Sequence, residues 1–535
     1  MGTSNLVLVL FVLLVLLARS THMINARAPN NQVYDQLNMR ADQLCGHTTY
    51  PTLCVQTLTR LRFGNQNIDY LSALVNNTIS ETMLPDSYFE SLSSDSVSPD
   101  VQLARASIVD CHELVKMSFK RLNQALQSLR KSPEAYKADI QTFLSASITF
   151  QQTCKDKIKD HAPTNVYLEK IIKKMDHLSA LCSNSLALVN RVTKSPATTS
   201  KRQREGFPGW LSTRNRRLLQ STEIKANVVV SKDGTGDFKT VSEAIRAATG
   251  GRFVIHVKSG VYSESINTDK DGITLIGDGK YSTIITAGGS VGGGSSLRGS
   301  ATFTITGDGF IARDIGFQNT AGASGHQAVA LTVASDHAVL FRCSIAGYQD
   351  TLYAHSLRQF YRDCDIHGTV DFIFGNAAAV FQSCSLVLRR PRAGAGFNAV
   401  LANGRTDPGQ NTGFSVQNSR ITVGPDFEPV KGSFASYLGR PWKAYSRAVV
   451  MQSNIDGEIS ARGWVEWGGA GGSTYKTLYF AEYGNVGPGS GTSGRVDWAG
   501  FHVIGAAEAK KFTVGEFIAG NSWLPSTGVT YVSGL

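Results

Sequence analysis

Two rhythms of apolar and polar residues divide this chain. From about residue 30 to 190, apolar residues recur at helical spacing. One stripe passes through Val101, Leu103, Ala104, Leu114, Val115 and Phe119 to Leu122, Leu126 and Leu129. A second holds Tyr167, Leu168, Ile171, Ile172, Met175 and Leu178. Gly is scarce there, and the pattern predicts an all-α antiparallel helical bundle. From Gln220 onward, short runs such as Val228–Val230, Phe253–Val257 and Ile273–Ile276 alternate with Gly- and Asn-rich turns. That pattern predicts strands.

The strand half repeats itself. An apolar run, a polar residue or Cys, and a second apolar run recur in Phe310–Ile315, Leu340–Ile345, Phe360–Ile366 and Val380–Leu386, and more loosely in Phe414–Ser419 and Val449–Asn454. Cys343 and Cys364 lie 21 residues apart, and Cys384 follows 20 later. Strands without helices at this period predict a parallel β-helix, an all-β solenoid. A β-propeller needs blades of about 40–45 residues, and a sandwich would not keep the register.

The same period relates two carboxylates. Asp350, in Tyr348-Gln349-Asp350-Thr351-Leu352, is 21 residues from Asp371, in Asp371-Phe372-Ile373-Phe374-Gly375; Gln327 is 22 before Gln349. Equivalent residues on successive coils stand about 4.8 Å apart, so the spacing predicts a cluster of Gln327, Gln349, Asp350 and Asp371 on three coils. Gln349 and Asp350 are neighbours, so an ideal strand would point them to opposite faces. A bend must intervene if both line one cleft. Two close carboxylates cannot both ionise comfortably, so one becomes an acid and the other a base or nucleophile. Gln amides can donate to an oxyanion. Arg440, in Leu438-Gly439-Arg440-Pro441-Trp442, and Arg405 are the candidate cations. Trp442, Tyr353, Tyr437 and Trp467 are candidates for stacking on sugar rings. A retaining glycosidase also uses two carboxylates about 5–5.5 Å apart; the Gln pair favours acyl transfer. A lyase on acidic polysaccharide would want a calcium-binding acidic cluster, and a binding-only solenoid would not need the Asp pair.

Composition adds context. The 535 residues include 52 Gly, 15 Pro and only 18% charged residues, as suits a large, turn-rich β protein. Of 53 Lys+Arg and 42 Asp+Glu, residues 220–535 hold 27 and 25, leaving 26 and 17 for residues 1–219. The basic excess is concentrated between Arg191 and Arg217, so the net charge of +11 says little about an anionic partner of the C-terminal half; nucleic acid is not expected as a partner. Residues 191–219, rich in Ser, Thr, Lys and Arg, read as a linker that ends in a candidate processing site, Arg216-Arg217-Leu218-Leu219. The unbroken apolar run Leu6–Leu17 reads as a secretory signal peptide over residues 1–26, with an uncleaved anchor as the alternative because no Lys or Arg precedes it. Export permits disulfides. The eight Cys lack CxxC metal spacing, and Asn76-Asn77-Thr78 is an N-glycosylation sequon at Asn76.

Residues 220–535 resemble plant pectin methylesterases through Gly260-Val261-Tyr262-Ser263-Glu264, Gln327–Leu331, Tyr348–Leu352, Asp371–Gly375 and Leu438–Trp442, in that order. Residues 30–190 resemble the pectin methylesterase inhibitor domain, a four-helix bundle. Its cysteine pattern is matched by a close pair, Cys45 and Cys54, a distant pair, Cys111 and Cys154, and an unpaired Cys182. The resemblance implies a right-handed parallel β-helix and a secreted, monomeric cell-wall enzyme. Its substrate would be the methyl esters of homogalacturonan, with no cofactor or metal. It implies a proenzyme cut by a subtilisin-like protease before Gln220, with its own pro-domain or separate inhibitor proteins as partners. It implies Asp371 as nucleophile and Asp350 as proton donor and acceptor. Gln349 and Gln327 would stabilise the oxyanion, with Gln327 also touching substrate, and Arg440 and Trp442 would bind substrate. It also implies a Cys364–Cys384 disulfide, although Cys343–Cys364 fits the coil spacing equally well. The chain departs from the family where Thr-Ala-Gln-Gly-Arg is usual: it reads Leu401-Ala402-Asn403-Gly404-Arg405. The substrate-contacting Thr usual before Arg-Ser-Ala-Thr is not evident in Ser296–Ser300.

Overall fold

The computed structural model describes residues 39–61, 69–82, 99–159, 166–192, 225–394, 396–469 and 471–535. The expected signal over 1–26 and the processing site Arg216–Leu219 lie outside the described residues, as does all of the linker beyond residue 192.

The first half is helical: α1 (Pro51–Arg60), α2 (Tyr70–Thr82), α3 (Pro99–Lys131), α4 (Lys137–Lys159) and α5 (Val166–Asn190). Their apolar stripes meet as expected. Leu114, Leu122 and Leu129 of α3 are buried with Ile140, Leu144 and Ile148 of α4 and with Ile171, Met175 and Leu178 of α5. Cys45–Cys54 and Cys111–Cys154 are bridged, the second tying α3 to α4, and Cys182 is a buried free thiol. Asn76 is exposed on α2.

The second half is a parallel β-helix of three sheets, with eleven, eight and seven strands. One coil supplies Ala338–Phe341, Ser344–Ala346 and Leu352–Ala354, one strand to each sheet; the next supplies Arg358–Arg362, Asp365–Gly368 and Ile373–Gly375. Val339 pairs with Phe360, Ile345 with Ile366 and Leu352 with Ile373, so the 21-residue step holds on every face. The corner between the first two sheets is a single left-handed residue stacked coil upon coil: Asp314, Arg342, Asp363, Ser383, Asn418 and Gln452 have φ between 48° and 54° or, at Ser383, 56°. Asp and Asn tolerate this conformation better than other non-Gly residues. The residue after each corner turns inward, which is why Cys343, Cys364 and Cys384 stack in the core.

These three cysteines correct one expectation. Neither Cys364–Cys384 nor Cys343–Cys364 is bridged. The Cys364 thiol instead reaches the carbonyls of Leu340 and Arg362, and the Cys384 thiol those of Tyr361 and Gln382. The coil period brings the thiols together, and they also hydrogen-bond one another, with Cys364 between Cys343 and Cys384.

The two halves are packed together. Ala334 and Leu357 of the β-helix join the apolar core of the bundle. Ion pairs cross the boundary at Arg121–Asp308, Asp139–Arg358, Glu113–Arg298 and Asp156–Lys443. At the C-terminus, Val514, Ile518, Trp523 and Leu524 cover the outer face of the eleven-stranded sheet.

Candidate active site

The site lies on the outer face of the seven-stranded sheet, on β1 (Leu331–Val333), β2 (Leu352–Ala354), β3 (Ile373–Gly375), β4 (Asn398–Asn403) and β5 (Ser436–Pro441), in spatial order. Leu352 is paired with Ile373, so Asp350 and Asp371, each two residues earlier, occupy equivalent positions on adjacent coils. Both are left-handed, with φ of 60° and 55°. This supplies the bend that a strand reading lacks at Gln349–Asp350. A non-Gly residue held there costs on the order of 1 kcal/mol or more. Hydrogen bonds to both neighbouring coils hold it: Ala328 N–H donates to Gln349 O (3.1 Å) and Asp350 N–H to Val370 O (3.2 Å). The first of these sets Gln327 beside the turn.

The two carboxyls are electrostatically unlike. Arg440 donates to Asp371 from Nε to Oδ1 (2.8 Å) and from Nη2 to Oδ2 (2.5 Å). Such a two-pronged, charge-assisted pair fixes the carboxylate plane as well as its charge. Burial pushes both acids up. At Asp371 the Arg440 fork pulls the other way, whereas at Asp350 the charge of Asp371 pushes further. The fork thus favours the carboxylate form at Asp371, and burial beside that charge favours the protonated form at Asp350. Arg440 is seated over Trp467, 4.1 Å from its guanidinium carbon, and near Phe397 at 5.1 Å. Gln327 and Gln349 are half-buried. Neither amide has a hydrogen-bond partner among the described residues, so both remain available to a ligand.

An aromatic platform crosses the sheet beside this pair. Tyr353 stacks on Phe374 at 4.4 Å, Phe374 meets Trp442 edge-on at 6.1 Å, and Trp442 lies 6.4 Å from Trp467. Trp442 can lie this close to the β-helix because position 404 is Gly: a Cβ there would stand 2.7 Å from the indole. Tyr437 instead packs edge-on against Phe397.

Arg405, the other candidate cation, is not part of the pair. It donates to the carbonyls of Gln410, Tyr445 and Pro408 and so shapes the loop after β4. A residue absent from the sequence reading does act on the site. Arg389 donates to Gly347 O (3.0 Å) and Tyr348 Oη (2.7 Å), and its guanidinium lies 3.9 Å over the Tyr348 ring. It braces the turn that carries Gln349 and Asp350. It lies 42 residues after Gly347, one beyond two coil steps of 21 and 20, so the repeat contained the signal.

The bundle reaches the edge of this site. Thr153 of α4 bonds His355 Nε2 at 3.0 Å, and Phe150 meets the His355 ring edge-on at 5.4 Å. A cavity of only about 20 Å³ remains between α4 and Tyr353, Trp442 and Gly404, about room for one water. Among the described residues, no group of three or more His, Cys, Asp or Glu is placed to hold a metal ion.

Comparison with known proteins agrees with both halves. A family model described as Pectinesterase matches residues 227–521, and one described as Plant invertase/pectin methylesterase inhibitor matches residues 41–188. Among curated proteins, the chain is 46% identical over 511 residues to "Probable pectinesterase/pectinesterase inhibitor 54" of Arabidopsis thaliana, covering 94% of each. It is 43% identical to "Pectinesterase 2" of Citrus sinensis, over 92% of this chain and 94% of the other. Among solved structures, "Pectin methylesterase from Carrot" is 54% identical with a TM-score of 0.57, covering 59% of this chain and 100% of that one.

Proposed function

The chain belongs to the pectinesterase family, carboxylic ester hydrolases, here with an inhibitor-family helical domain ahead of the enzyme, and from that premise we propose a two-step reaction on methyl-esterified galacturonan. Asp371 attacks the ester carbonyl carbon. The carbonyl oxygen takes up negative charge and receives hydrogen bonds from the Gln327 and Gln349 amides, the preorganised donors that such an intermediate needs. As the intermediate collapses, the bond to the methoxy oxygen breaks and Asp350 gives it a proton, releasing methanol. Asp371 is left joined to the galacturonoyl carbonyl. Asp350, now ionised, takes a proton from water. The resulting hydroxide attacks that carbonyl and frees Asp371 and the acid product. Arg440 keeps Asp371 ionised and aimed, and Trp442 stacks on a sugar ring.

The observation that carries this reading is the Arg440 fork on Asp371 beside a second carboxyl raised by burial. A glycosidase has no comparable use for two unpartnered Gln amides. The contacts of α4 with His355 and Lys443 support an autoinhibited proenzyme; the apolar run Leu6–Leu17 and the basic site Arg216–Leu219 in the sequence support its secretion to the cell wall and its activation by cleavage there. The relatives' names support pectin as the substrate. The test is methanol release from methyl-esterified pectin by residues 220–535. The carrot structure is matched along its whole length by about this share of the chain, so the β-helix stands alone there. Release by the parent fragment and its loss in Asp371→Ala are expected. No release, or release equal in both, refutes the reading; shortening of the polymer without methanol would mark a glycosidase or lyase instead.

A further inference from the structure

The outer face of the eight-stranded sheet carries a groove that the proposed reaction does not use. Three of its strands, Gly316–Asn319, Ser344–Ala346 and Asp365–Gly368, lie side by side. Phe317, Ile345 and Ile366 are buried in the core. Their neighbours therefore point outward: Gly316, Ser344 and Asp365 pair in one row, and Gln318, Ala346 and His367 in the next. The small residues Gly316, Ser344 and Ala346 leave a trough across these coils. The loop of Lys280 and Tyr281 closes it at the strands' N-terminal ends. That loop can lie on the sheet because position 316 is Gly: a Cβ there would stand 2.6 Å from Lys280 O. It is pinned by Asp365, whose Oδ2 lies 2.5 Å from Lys280 Nζ and accepts from the Tyr281 hydroxyl. Arg389 closes the C-terminal ends, its Nε donating to Asp426 Oδ2 at 3.0 Å. The cavity between holds about 350 Å³, a size usual for small-ligand sites.

The chemistry of the lining restricts what can enter. Both cations are already matched, Lys280 by Asp365 and Arg389 by Asp426. His367 lies among these four groups, and burial pushes its imidazole below the ordinary value, so it is neutral. Its Nε2 is buried and has no hydrogen-bond partner among the described residues. A buried polar nitrogen left unpaired is costly, and this one can pair with a hydroxyl or carbonyl of a ligand. Tyr281 is held by its hydroxyl yet remains 61% exposed, so a fixed aromatic ring borders the trough. An uncharged ring with hydroxyls at its rim and C–H groups on its face satisfies all three features. A carboxylate does not, because no uncommitted cation would meet it and burying it unpaired is costly.

We infer that this groove is a second, non-catalytic binding site for an uncharged sugar unit, a methyl-esterified galacturonate, with Tyr281 stacked on its face and His367 Nε2 bonded to its rim. The identity of that unit rests on the ester-cleaving role proposed for Asp371 and Asp350. The groove holds the enzyme on stretches that still carry esters and lets go of stretches already converted to free acid. It is a separate site from the cleft, but the two share a wall. Arg389, which closes the groove, also holds Gly347 O and Tyr348 Oη of the turn that carries Gln349 and Asp350.

The experiment follows the His367 imidazole by NMR in the fragment used for methanol release, residues 220–535, carrying Asp371→Ala so that the ligand persists. The signal is identified by its loss in His367→Gln. A methyl-esterified galacturonan trimer should shift it saturably, and the de-esterified trimer should bind at least about tenfold more weakly. Ala346→Trp fills the trough from an outward position and should abolish the shift. Tyr281→Ala should weaken binding about fivefold, the worth of one aromatic stack, whereas Tyr281→Phe keeps the ring and should bind as the parent does. Tyr281 is exposed, so its variants carry the test if Ala346→Trp does not fold. No saturable shift, equal affinity for the two trimers, or parent affinity in Ala346→Trp or Tyr281→Ala overturns the proposal, as does Tyr281→Phe binding as weakly as Tyr281→Ala. The shift needs no turnover, so absence of methanol release by the parent fragment would refute the ester-cleaving reading and leave the groove to be judged by binding.

Discussion

Removing Arg440 tests the division of labour between the two aspartates. Arg440→Ala leaves the 6%-exposed Asp371 side chain without its counter-ion and without the fork that fixes its plane. An uncompensated charge buried this way costs about 3–5 kcal/mol if it stays ionised. Exposure of the Arg440 side chain, 16%, argues for the lower end, about 3 kcal/mol. The pair can escape the cost by taking a second proton, because without Arg440 nothing offsets the effect of burial on Asp371. The sign follows: a carboxyl raised in the folded state favours folding below its unfolded pKa, and that contribution is lost as pH rises through the folded value. The variant's stability deficit should therefore be small near pH 4 and grow toward pH 7.5. Activity should fall at least about a hundredfold, as when an electrostatic partner of a reacting group is lost, and its acid limb should move to higher pH. Thermal melts and methanol release across pH measure both. A deficit independent of pH, or activity within a fewfold of the parent, refutes the argument. Arg440→Lys should recover the charge but not the fork, and so rescue stability more than rate.

Three further outcomes are expected. Gly404→Ala should displace the Trp442 indole, since its Cβ would stand 2.7 Å away; KM should rise with melting temperature changed by little, and an unchanged KM would count against stacking by Trp442. Arg389→Ala should lower kcat several-fold more than it raises KM, because it frees the turn carrying Gln349 and Asp350 without touching the platform; an effect confined to KM would contradict that bracing role. Cys154→Ser should destabilise the bundle by roughly 4 kcal/mol, the loop-closure value for a bridge spanning 43 residues; a bundle melting as before would show that packing alone holds α3 to α4.

The sequence alone determined whatever follows from period. The helical stripes fixed the bundle, and the 21-residue step fixed the coils, because each coil must present the same inward residues to be buried by the next. It thereby fixed the proximity of Asp350 and Asp371, whose strands pair as Leu352 with Ile373. The tertiary structure decided what depends on direction and on partners remote in the chain. The left-handed residues at 350 and 371 supply a bend that Asp tolerates but that the alternating strand pattern around it does not mark. Arg440, not Arg405, faces Asp371 because β5 carries it onto the cleft while the loop after β4 turns Arg405 back on its own carbonyls. The coil period aligned Cys343, Cys364 and Cys384 equally well for either bridge, yet all three are free thiols, hydrogen-bonded to one another. The hydroxyls of α4 look in sequence like an ordinary polar helix face; only docking against Asn376, Gln410 and His355 shows them buried. A period reports which residues stack, whereas charge, hydrogen bonding and orientation belong to whichever surface the stack finally meets.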